Sequence, residues 1–181
     1  MLFQYTSIII KKMNNFFLKF HNQNEIIKLI NNLEIQNQTL EKYKNMILFN
    51  IVNIKREETD ISHDYYEMYG NQYIKKIKPA HFYVYAFIHS TYQNEDTNIG
   101  LTYLSEIIGY INSNPALTKE NTLEIEKNNL SDINIYLQND DQNIYNKLTI
   151  PYMPSLLIKY GLIPINSQYQ NEKPVAGVSS F

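Results

Sequence analysis

MILFNIVNI, residues Met46–Ile54, is an almost unbroken run of apolar and β-branched side chains. Such a run is typical of a strand that is covered on both faces, because a strand with one exposed face interleaves polar residues. We therefore predict a strand over residues 45–55 and place it at the centre of a sheet.

A second strand signal follows at His81–Tyr92, directly after Lys78-Pro79. Successive side chains of a strand point to opposite faces of the sheet. One predicted face suits a helix-covered core and carries Phe82, Val84, Ala86 and Ile88. The other face is aromatic with polar tips, which suits half-burial against another subunit or against a helix of the same chain. It carries His81, Tyr83, Tyr85, Phe87 and His89.

Two segments have the apolar spacing of amphipathic helices. In Ser7–Phe20 the apolar positions recur at i, i+3 and i+4; they are Ile9, Met13, Phe16, Phe17 and Phe20. After the polar linker Asn94–Asn98, which suits a helix cap, a second apolar stripe consists of Leu101, Leu104, Ile107, Ile108 and Ile111. Asn22 and Asn24 end the first predicted helix, and Pro115 ends the second.

Three longer segments have weaker signals. Glu25–Ile35 fits a short helix or an extended segment, and we favour the extended one. Arg56–Lys78 is charged, rich in tyrosine and without clear periodicity, and it runs into Pro79, so we predict a long loop. Tyr152–Ile165 is predicted to be the last strand. Its Pro154 must lie at the start of the strand or on an edge, because proline cannot donate to a β-ladder.

The stretch before the last strand completes the prediction. Thr122–Glu126 alternates between apolar and polar residues, which indicates a half-exposed strand. Ser131-Asp132 is a plausible N-cap, so we predict a short helix that extends to Leu137. Asn139–Gln142 is predicted to turn the chain.

Together these segments predict an α+β fold with one mixed sheet of about four to five strands packed with two to three helices. The 181 residues, of which 44% are apolar, suffice for one domain with a real core. We place this domain at residues 1–165. Residues 166–181 are polar and then contain Gly and Ser, so we predict a flexible C-terminal tail there.

Composition excludes several classes of protein. The formal charge of −2 provides no basic field to gather nucleic acid. The absence of cysteine excludes a disulfide framework and a thiolate zinc site. No apolar run approaches the roughly 20 residues that span a bilayer, and the N-terminus has its apolar run before its lysines, the reverse of a signal peptide. We therefore predict a soluble protein that does not insert into a membrane.

The candidates for chemistry are weak, and we predict no catalytic, cofactor-binding or metal-binding residue. His81 and His89 share a strand face, but eight residues separate them by about 26 Å, too far for one metal ion. His63-Asp64 lacks an orienting group. The acidic residues after the first strong strand do not have the spacing of an EF-hand loop, and we interpret them as a solvated loop; they are Glu57, Glu58, Asp60, Asp64 and Glu67.

Tyrosine is the more informative residue, with sixteen in the chain. Its large area and polar tip make it common at subunit contacts, although codon usage of an AT-rich genome explains the same count. The residues that we predict at an interface are Tyr83, Tyr85, Phe87, Tyr152, Leu156, Ile158 and Tyr160.

The order of five segments resembles one family, the cap or tail-terminator proteins of contractile injection systems, phage-tail-like particles that include the anti-feeding prophage. The similarity extends over roughly Asn45 to Ile165. The segments are the strand Ile47–Ile54 with its trailing Glu57-Glu58, Lys78-Pro79 leading into Phe82–Ile88, Leu101–Ile111 ending in Asn114-Pro115-Ala116-Leu117-Thr118, Asn129-Leu130-Ser131, and Tyr152-Met153-Pro154-Ser155.

The resemblance implies a tail-terminator-like fold and a structural role. It implies a ring of six copies on the distal end of the inner tube and the sheath, which ends their polymerisation. The partners would be the chain itself, the tube protein and the sheath protein, and the chain would assemble in the cytoplasm into a particle that is released or membrane-attached. The candidates for strand exchange with a neighbour are Leu156–Ile163 and the tail after Asn166.

Three other functions stay open at the level of sequence. The chain could be another assembly or adaptor component of the same particle. It could be a metal-dependent hydrolase that uses Glu57, Glu58 and Asp60, or a small effector or immunity protein.

Overall fold

A computed structural model describes residues 1–30, 42–57, 65–69, 72–76, 80–138 and 153–165. The helices in this part of the chain are α1 (Leu2–His21), α2 (Thr97–Ser113) and α3 (Leu123–Lys127), with a 3-10 turn at Asn94–Asp96. The strands are β1 (Ile27–Ile30), β2 (Ile47–Arg56), β3 (Tyr65–Tyr69), β4 (Gln72–Lys76), β5 (Ala80–Ser90), β6 (Ala116–Leu117), β7 (Ile133–Leu137) and β8 (Ser155–Ile165).

Six strands form one mixed sheet in the order β1-β2-β5-β8-β7-β6. The β1–β2 pair is parallel, and the other neighbours are antiparallel. The predicted α+β class with a single mixed sheet is confirmed, but the predicted four to five strands were too few. The prediction missed β6, which has only two residues, and it assigned β7 to a helix.

Strand β2 is covered on both faces only in its first half. Its residues from Ile47 to Asn50 are buried, and those from Ile54 to Arg56 are exposed. The strand is second in the sheet, so its predicted central position was wrong. The two central strands are β5 and β8, because β8 returns between β5 and β7.

Helix α1 packs on the inner face of the sheet through Tyr5, Ile9, Met13 and Phe17, each at most 1% exposed. The predicted helix is confirmed and begins earlier, at Leu2. Phe20 is 62% exposed, contrary to its predicted place on the core face. It lies in the last turn, where its ring contacts Phe16 instead, with the ring centroids 4.8 Å apart.

Helix α2 covers the same face next to α1, with Leu104, Ile107 and Ile111 buried. The predicted helix is confirmed, and it ends at Ser113, before Pro115. Leu101 is 44% exposed and was wrongly assigned to the apolar stripe. Tyr103 is buried in its place, and its hydroxyl donates to Gln23 Oε1 over 2.8 Å.

Between α2 and β8, the structure has a helix where a strand was predicted and a strand where a helix was predicted. Thr122–Glu126 was predicted to be a strand, but the short helix α3 forms there after the buried Thr122, and Ile125 is the residue of α3 that inserts into the core. The predicted helix up to Leu137 is strand β7. Ile133 and Ile135 are both 2% exposed, whereas Asn134 and Tyr136 are exposed, which is the two-residue period of a strand.

A separate hairpin of β3 and β4 lies within the segment predicted to be a loop, Arg56–Lys78. The sequence Gly70-Asn71 between two tyrosine-containing runs was the missed signal, because two such residues favour a hairpin. The extended segment predicted at Glu25–Ile35 is confirmed over β1. Residues 31–35, the predicted turn Asn139–Gln142 and the predicted tail lie outside the described residues.

Candidate interface on the outer face of the sheet

The sheet has an inner face under α1 and α2 and an outer face, and alternation along β5 divides its side chains between them. Val84, Ala86 and Ile88 belong to the main apolar core. Tyr85 and Phe87 belong to a second apolar cluster with Val52 and Leu157. The predicted division of this strand into a core face and an aromatic face therefore agrees with the structure from Tyr83 to His89. Phe82, predicted on the core face, is half-buried and belongs to neither cluster, because the register shifts between Phe82 and Tyr83.

One half of the outer face is buried, and it contains two polar side chains. Asn50 is 0% exposed and His89 is 3% exposed, on the neighbouring strands β2 and β5. Their side-chain nitrogen and oxygen atoms have no hydrogen-bond partner among the described residues. Burial lowers the pKa of His89 from 6.5 to about 4, so its imidazole is neutral at physiological pH.

The other half of the outer face is open to solvent and combines tyrosines with lysines. We call it the tyrosine–lysine patch, and it consists of Lys55, Tyr83, Tyr85, Tyr136 and Lys159. Tyr136 is 45% exposed and Lys55 is exposed, while the other three side chains are half-buried. Four adjacent strands contribute to this surface.

The lysines of the patch stack on its tyrosine rings. Lys159 Nζ lies 3.6 Å from the ring centroid of Tyr83 and 5.9 Å from that of Tyr85. Lys55 lies on β2, the other neighbour of β5, and its Nζ atom is 5.3 Å from the Tyr85 ring centroid. Such cation–π contacts contribute about 0.5–1 kcal/mol each at exposed sites. Burial, followed by the charge of Glu57 and a hydrogen bond to it, raises the pKa of Tyr83.

A glycine in β8 makes room for the Tyr83 ring. Gly161 is the register partner of Tyr83 and has φ 144°, a backbone conformation that L side chains rarely adopt. A Cβ atom on Gly161 would collide with the carbonyl oxygen of Phe82 and lie 3.1 Å from Tyr83 Cα. The register shifts at this point, which aims Tyr83 across β8 towards Lys159.

The structure separates the predicted interface residues into three groups. Tyr83 and Tyr85 lie together in the patch. Leu156 is half-buried and packs on the main core. Phe87, Ile158 and Tyr160 are 0% exposed and are part of the interior. Tyr152 lies outside the described residues.

Sequence reasoning missed Lys55, Lys159 and Tyr136 as members of the surface. The pairings Lys55–Tyr83, Lys159–Tyr85 and Tyr136–Lys159 bring them together, and these pairings join residues far apart in the sequence. Alternation places Lys159 on the face opposite Ile158 and Tyr160. That local signal could have indicated an outward lysine, but not its tyrosine neighbours.

Strand β8 is not an edge strand, although Leu156–Ile163 was a predicted candidate for strand exchange. It pairs with β5 over its full length and with β7 from Ile158 to Gly161. The outermost strands of the sheet in the described part of the chain are β1 and β6. An open groove of about 460 Å³ lies between α1 and β1, with Phe3, Ile10 and Leu29 among its apolar residues.

His81 and His89, which were predicted not to share a metal ion, lie in two separate environments. His89 is buried in the outer face and His81 is half-buried at the other end of β5. Within the described ranges, no group of three or more His, Cys, Asp or Glu residues could hold a metal ion. Of the acidic cluster, only Glu57 has a described side chain.

No helix in the described part of the chain is long and apolar enough to cross a bilayer.

Comparison with solved structures identifies the fold. The sheath/tube terminator of an extracellular contractile injection system, PVC, in its extended state, matches with a TM-score of 0.58 and 14% sequence identity. The match covers 100% of this chain and 62% of that chain. The tube-terminating cap of the anti-feeding prophage matches with a TM-score of 0.49 and 12% identity, over 82% of this chain and 58% of that one.

The chain therefore has the α+β fold of a sheath/tube terminator and spans about three fifths of the length of that solved chain. No protein of curated function matches its sequence. The family profile of the Pvc16 N-terminal domain matches residues 11–177, which is most of the chain. The chain belongs to this family, as the resemblance in the sequence predicted.

Proposed function

We propose that this chain is a structural cap, a terminator that forms a ring on the distal end of the inner tube and sheath of a contractile injection system and ends their polymerisation. The match of residues 11–177 to the Pvc16 N-terminal domain family is the observation that carries the proposal. The likeness of the whole chain to a sheath/tube terminator supports it.

The physical reason for such a protein is the geometry of a tube. A stack of identical rings ends in an unsatisfied interface, and it grows until a different subunit covers that interface. The covering subunit needs one face that matches the last ring and another face that does not repeat it. Shape and surface chemistry suffice for this role, so we propose that the chain is not an enzyme.

The proposed contacts lie on surfaces that the fold leaves open. Tyr83 and Tyr85 are half-buried in the tyrosine–lysine patch, and tyrosine contributes large contact area at low entropic cost. Phe87 is fully buried next to Tyr85 on the outer face, whereas Ile158 and Tyr160 are fully buried in the core on the inner face of the sheet. The edge strands β1 and β6, rather than β8, are the places where a partner could add a strand.

The proposed partners are five further copies of the chain, the inner tube protein and the sheath protein. We place the terminator domain at residues 1–165 and a partner-contacting tail at residues 166–181. Assembly in the cytoplasm, followed by release or membrane attachment of the particle, completes the proposal.

The test is to produce particles with and without this chain and to image them by cryo-electron microscopy. Without the chain, we expect tubes and sheaths of uneven length that lack density at the distal end. Restoring the chain should restore uniform length. Particles of uniform length with an intact distal tip in the absence of the chain would disprove the cap function.

Two further measurements separate a cap from an adaptor elsewhere on the particle. Native mass spectrometry of the purified chain is expected to show a hexamer, and labelling of the chain on particles is expected at the distal end alone. A label at the baseplate would indicate an adaptor. Truncation after Ile165 is expected to weaken incorporation, and undiminished incorporation would refute the role of the tail.

A further inference from the structure

In the described part of the chain, neither lysine of the tyrosine–lysine patch forms a salt bridge, and the carboxylate at this surface, Glu57, hydrogen-bonds Tyr83 instead. Two ion pairs of the described residues, Lys11–Glu124 and His21–Glu106, both lie away from this surface. Lys55 and Lys159 contact tyrosine rings, and no carboxylate lies within salt-bridge distance of either ammonium group in the described part of the chain. Two lysines therefore stand against one described carboxylate, Glu57, at this surface of a chain whose net charge is −2.

The arrangement of these groups favours an extended ligand. Tyr136, Lys159 and Tyr85 are register partners on three adjacent strands, so they form one row about 10 Å wide. Lys55 and Tyr83 are register partners in the next row. The two ammonium groups lie 5.3 and 5.9 Å from the same Tyr85 ring centroid, so one short segment can contact both.

The chemistry of the patch favours a negatively charged ligand. Ammonium groups only donate hydrogen bonds, and the hydroxyls of Tyr85 and Tyr136 can donate as well, whereas the hydroxyl of Tyr83 already bonds Glu57. Stacking on the rings holds the lysines in place, which reduces the side-chain entropy lost when a carboxylate binds. A ligand with several closely spaced carboxylates satisfies these donors and matches the charge.

We propose that the tyrosine–lysine patch is a docking surface for an acidic segment of a protein partner, whose carboxylates pair with Lys55 and Lys159 over the tyrosine rings. A protein is favoured over a nucleic acid because the surface has only two lysines and the chain is acidic overall, with a pI of about 6.1. This inference does not depend on the cap function.

The probe is fluorescein-labelled poly-L-glutamate, titrated with the full chain in a fluorescence-anisotropy assay at low salt. We expect saturable binding that weakens as salt is added. The double variant Lys55→Gln/Lys159→Gln should bind at least tenfold more weakly. The matched control is Lys28→Gln/Lys127→Gln, which removes the same charge from two exposed lysines elsewhere and should bind as the parent does.

Two charge-preserving variants distinguish a built surface from general attraction. Lys159→Arg should retain binding, because guanidinium also stacks on tyrosine. Tyr85→Leu should weaken binding severalfold, because the ring between the two lysines is lost. Circular dichroism verifies that each variant is folded.

Equal weakening in the patch variant and in the Lys28/Lys127 control would overturn the proposal. So would the absence of binding to poly-L-glutamate. A 20-nucleotide oligo(dT) that binds more tightly than poly-L-glutamate and depends on the same lysines would assign the patch to nucleic acid instead, and would also overturn it.

Discussion

The side-chain amide of Asn14 in α1 pairs with the backbone of Ile27 in β1 as a neighbouring strand would. Asn14 Nδ2 donates to the carbonyl oxygen of Ile27, and the Ile27 N–H donates to Asn14 Oδ1, both over 2.9 Å. β1 is an outermost strand of the described sheet. The amide thereby closes part of an edge that could otherwise pair with another chain.

Replacing Asn14 with alanine should lower the free energy of unfolding by about 1–2 kcal/mol, because two hydrogen bonds to the edge strand are lost. Urea denaturation measures the change. Asn15→Ala is the matched control, since it has the same effect on helix propensity at an exposed neighbouring position. Equal unfolding free energies for the two variants would show that the Asn14–Ile27 pair contributes nothing.

The buried hydrogen bond between Tyr160 and Thr6 connects β8 to α1. The two hydroxyl oxygens are 2.7 Å apart, and Thr6 donates its own proton to the carbonyl oxygen of Leu2. Tyr160 is therefore the donor to Thr6, and burial raises its pKa. Tyr160→Phe should lower the free energy of unfolding by about 1 kcal/mol.

Thr6→Val should cost more than Tyr160→Phe, because it leaves the buried Tyr160 hydroxyl without an acceptor. The double variant should cost less than the two single variants together, which a double-mutant cycle measures by chemical denaturation. Tyr110→Phe removes a hydroxyl that has no hydrogen bond in the described structure, and it provides the control. Strict additivity in the cycle would contradict the coupling.

The neutral, buried His89 should make stability depend on pH. Its pKa is about 4 in the folded chain, against 6.5 for an unperturbed histidine, so the unfolded chain binds more protons between these values. This contribution to stability is therefore fully present above pH 6.5 and is lost as the pH falls towards 4. Between pH 7 and pH 4.5 the loss is about 2 kcal/mol.

His89→Leu should remove that part of the pH dependence, as measured by urea unfolding at both pH values. His81→Gln is the control, because His81 lies half-buried at the other end of β5, and this variant should keep the dependence. A pH dependence that is the same in the His89→Leu variant and the parent would show that His89 is not the titrating group.

Two glycine-to-alanine substitutions should change the free energy of unfolding in opposite directions. Gly161→Ala forces a Cβ against the carbonyl oxygen of Phe82 at φ 144°, so it should destabilise the chain by about 2 kcal/mol or more. Gly109 lies within α2, and nothing lies within 4 Å of an added Cβ. Gly109→Ala should stabilise the chain by about 0.5–1 kcal/mol.

Thermal unfolding of both variants tests this pair of predictions. The Gly161 variant should also bind poly-L-glutamate more weakly, because the Tyr83 ring is displaced. An unchanged melting temperature in the Gly161→Ala variant would refute the close approach of β5 and β8 at this point.

The sequence by itself determined the strongest local elements and the family. Unbroken apolar composition indicated β2, alternation indicated β5 and its two faces, and the i, i+3, i+4 spacing indicated α1 and α2. These signals depend on near neighbours in the chain, so they survive without knowledge of the tertiary contacts. The short elements gave no such signal. The segment of α3 was predicted as a strand and that of β7 as a helix, because five residues are too few to distinguish the helical period from the strand period.

Only the tertiary structure decided which strands are neighbours. It placed β8 between β5 and β7, which buries Ile158 and Tyr160 and removes β8 from the edge. It also brought Lys159 over Tyr83, two residues that are far apart in the sequence. The physical reason is that strand pairing joins distant segments through backbone hydrogen bonds common to all residues, so the sequence of one strand does not specify its partner.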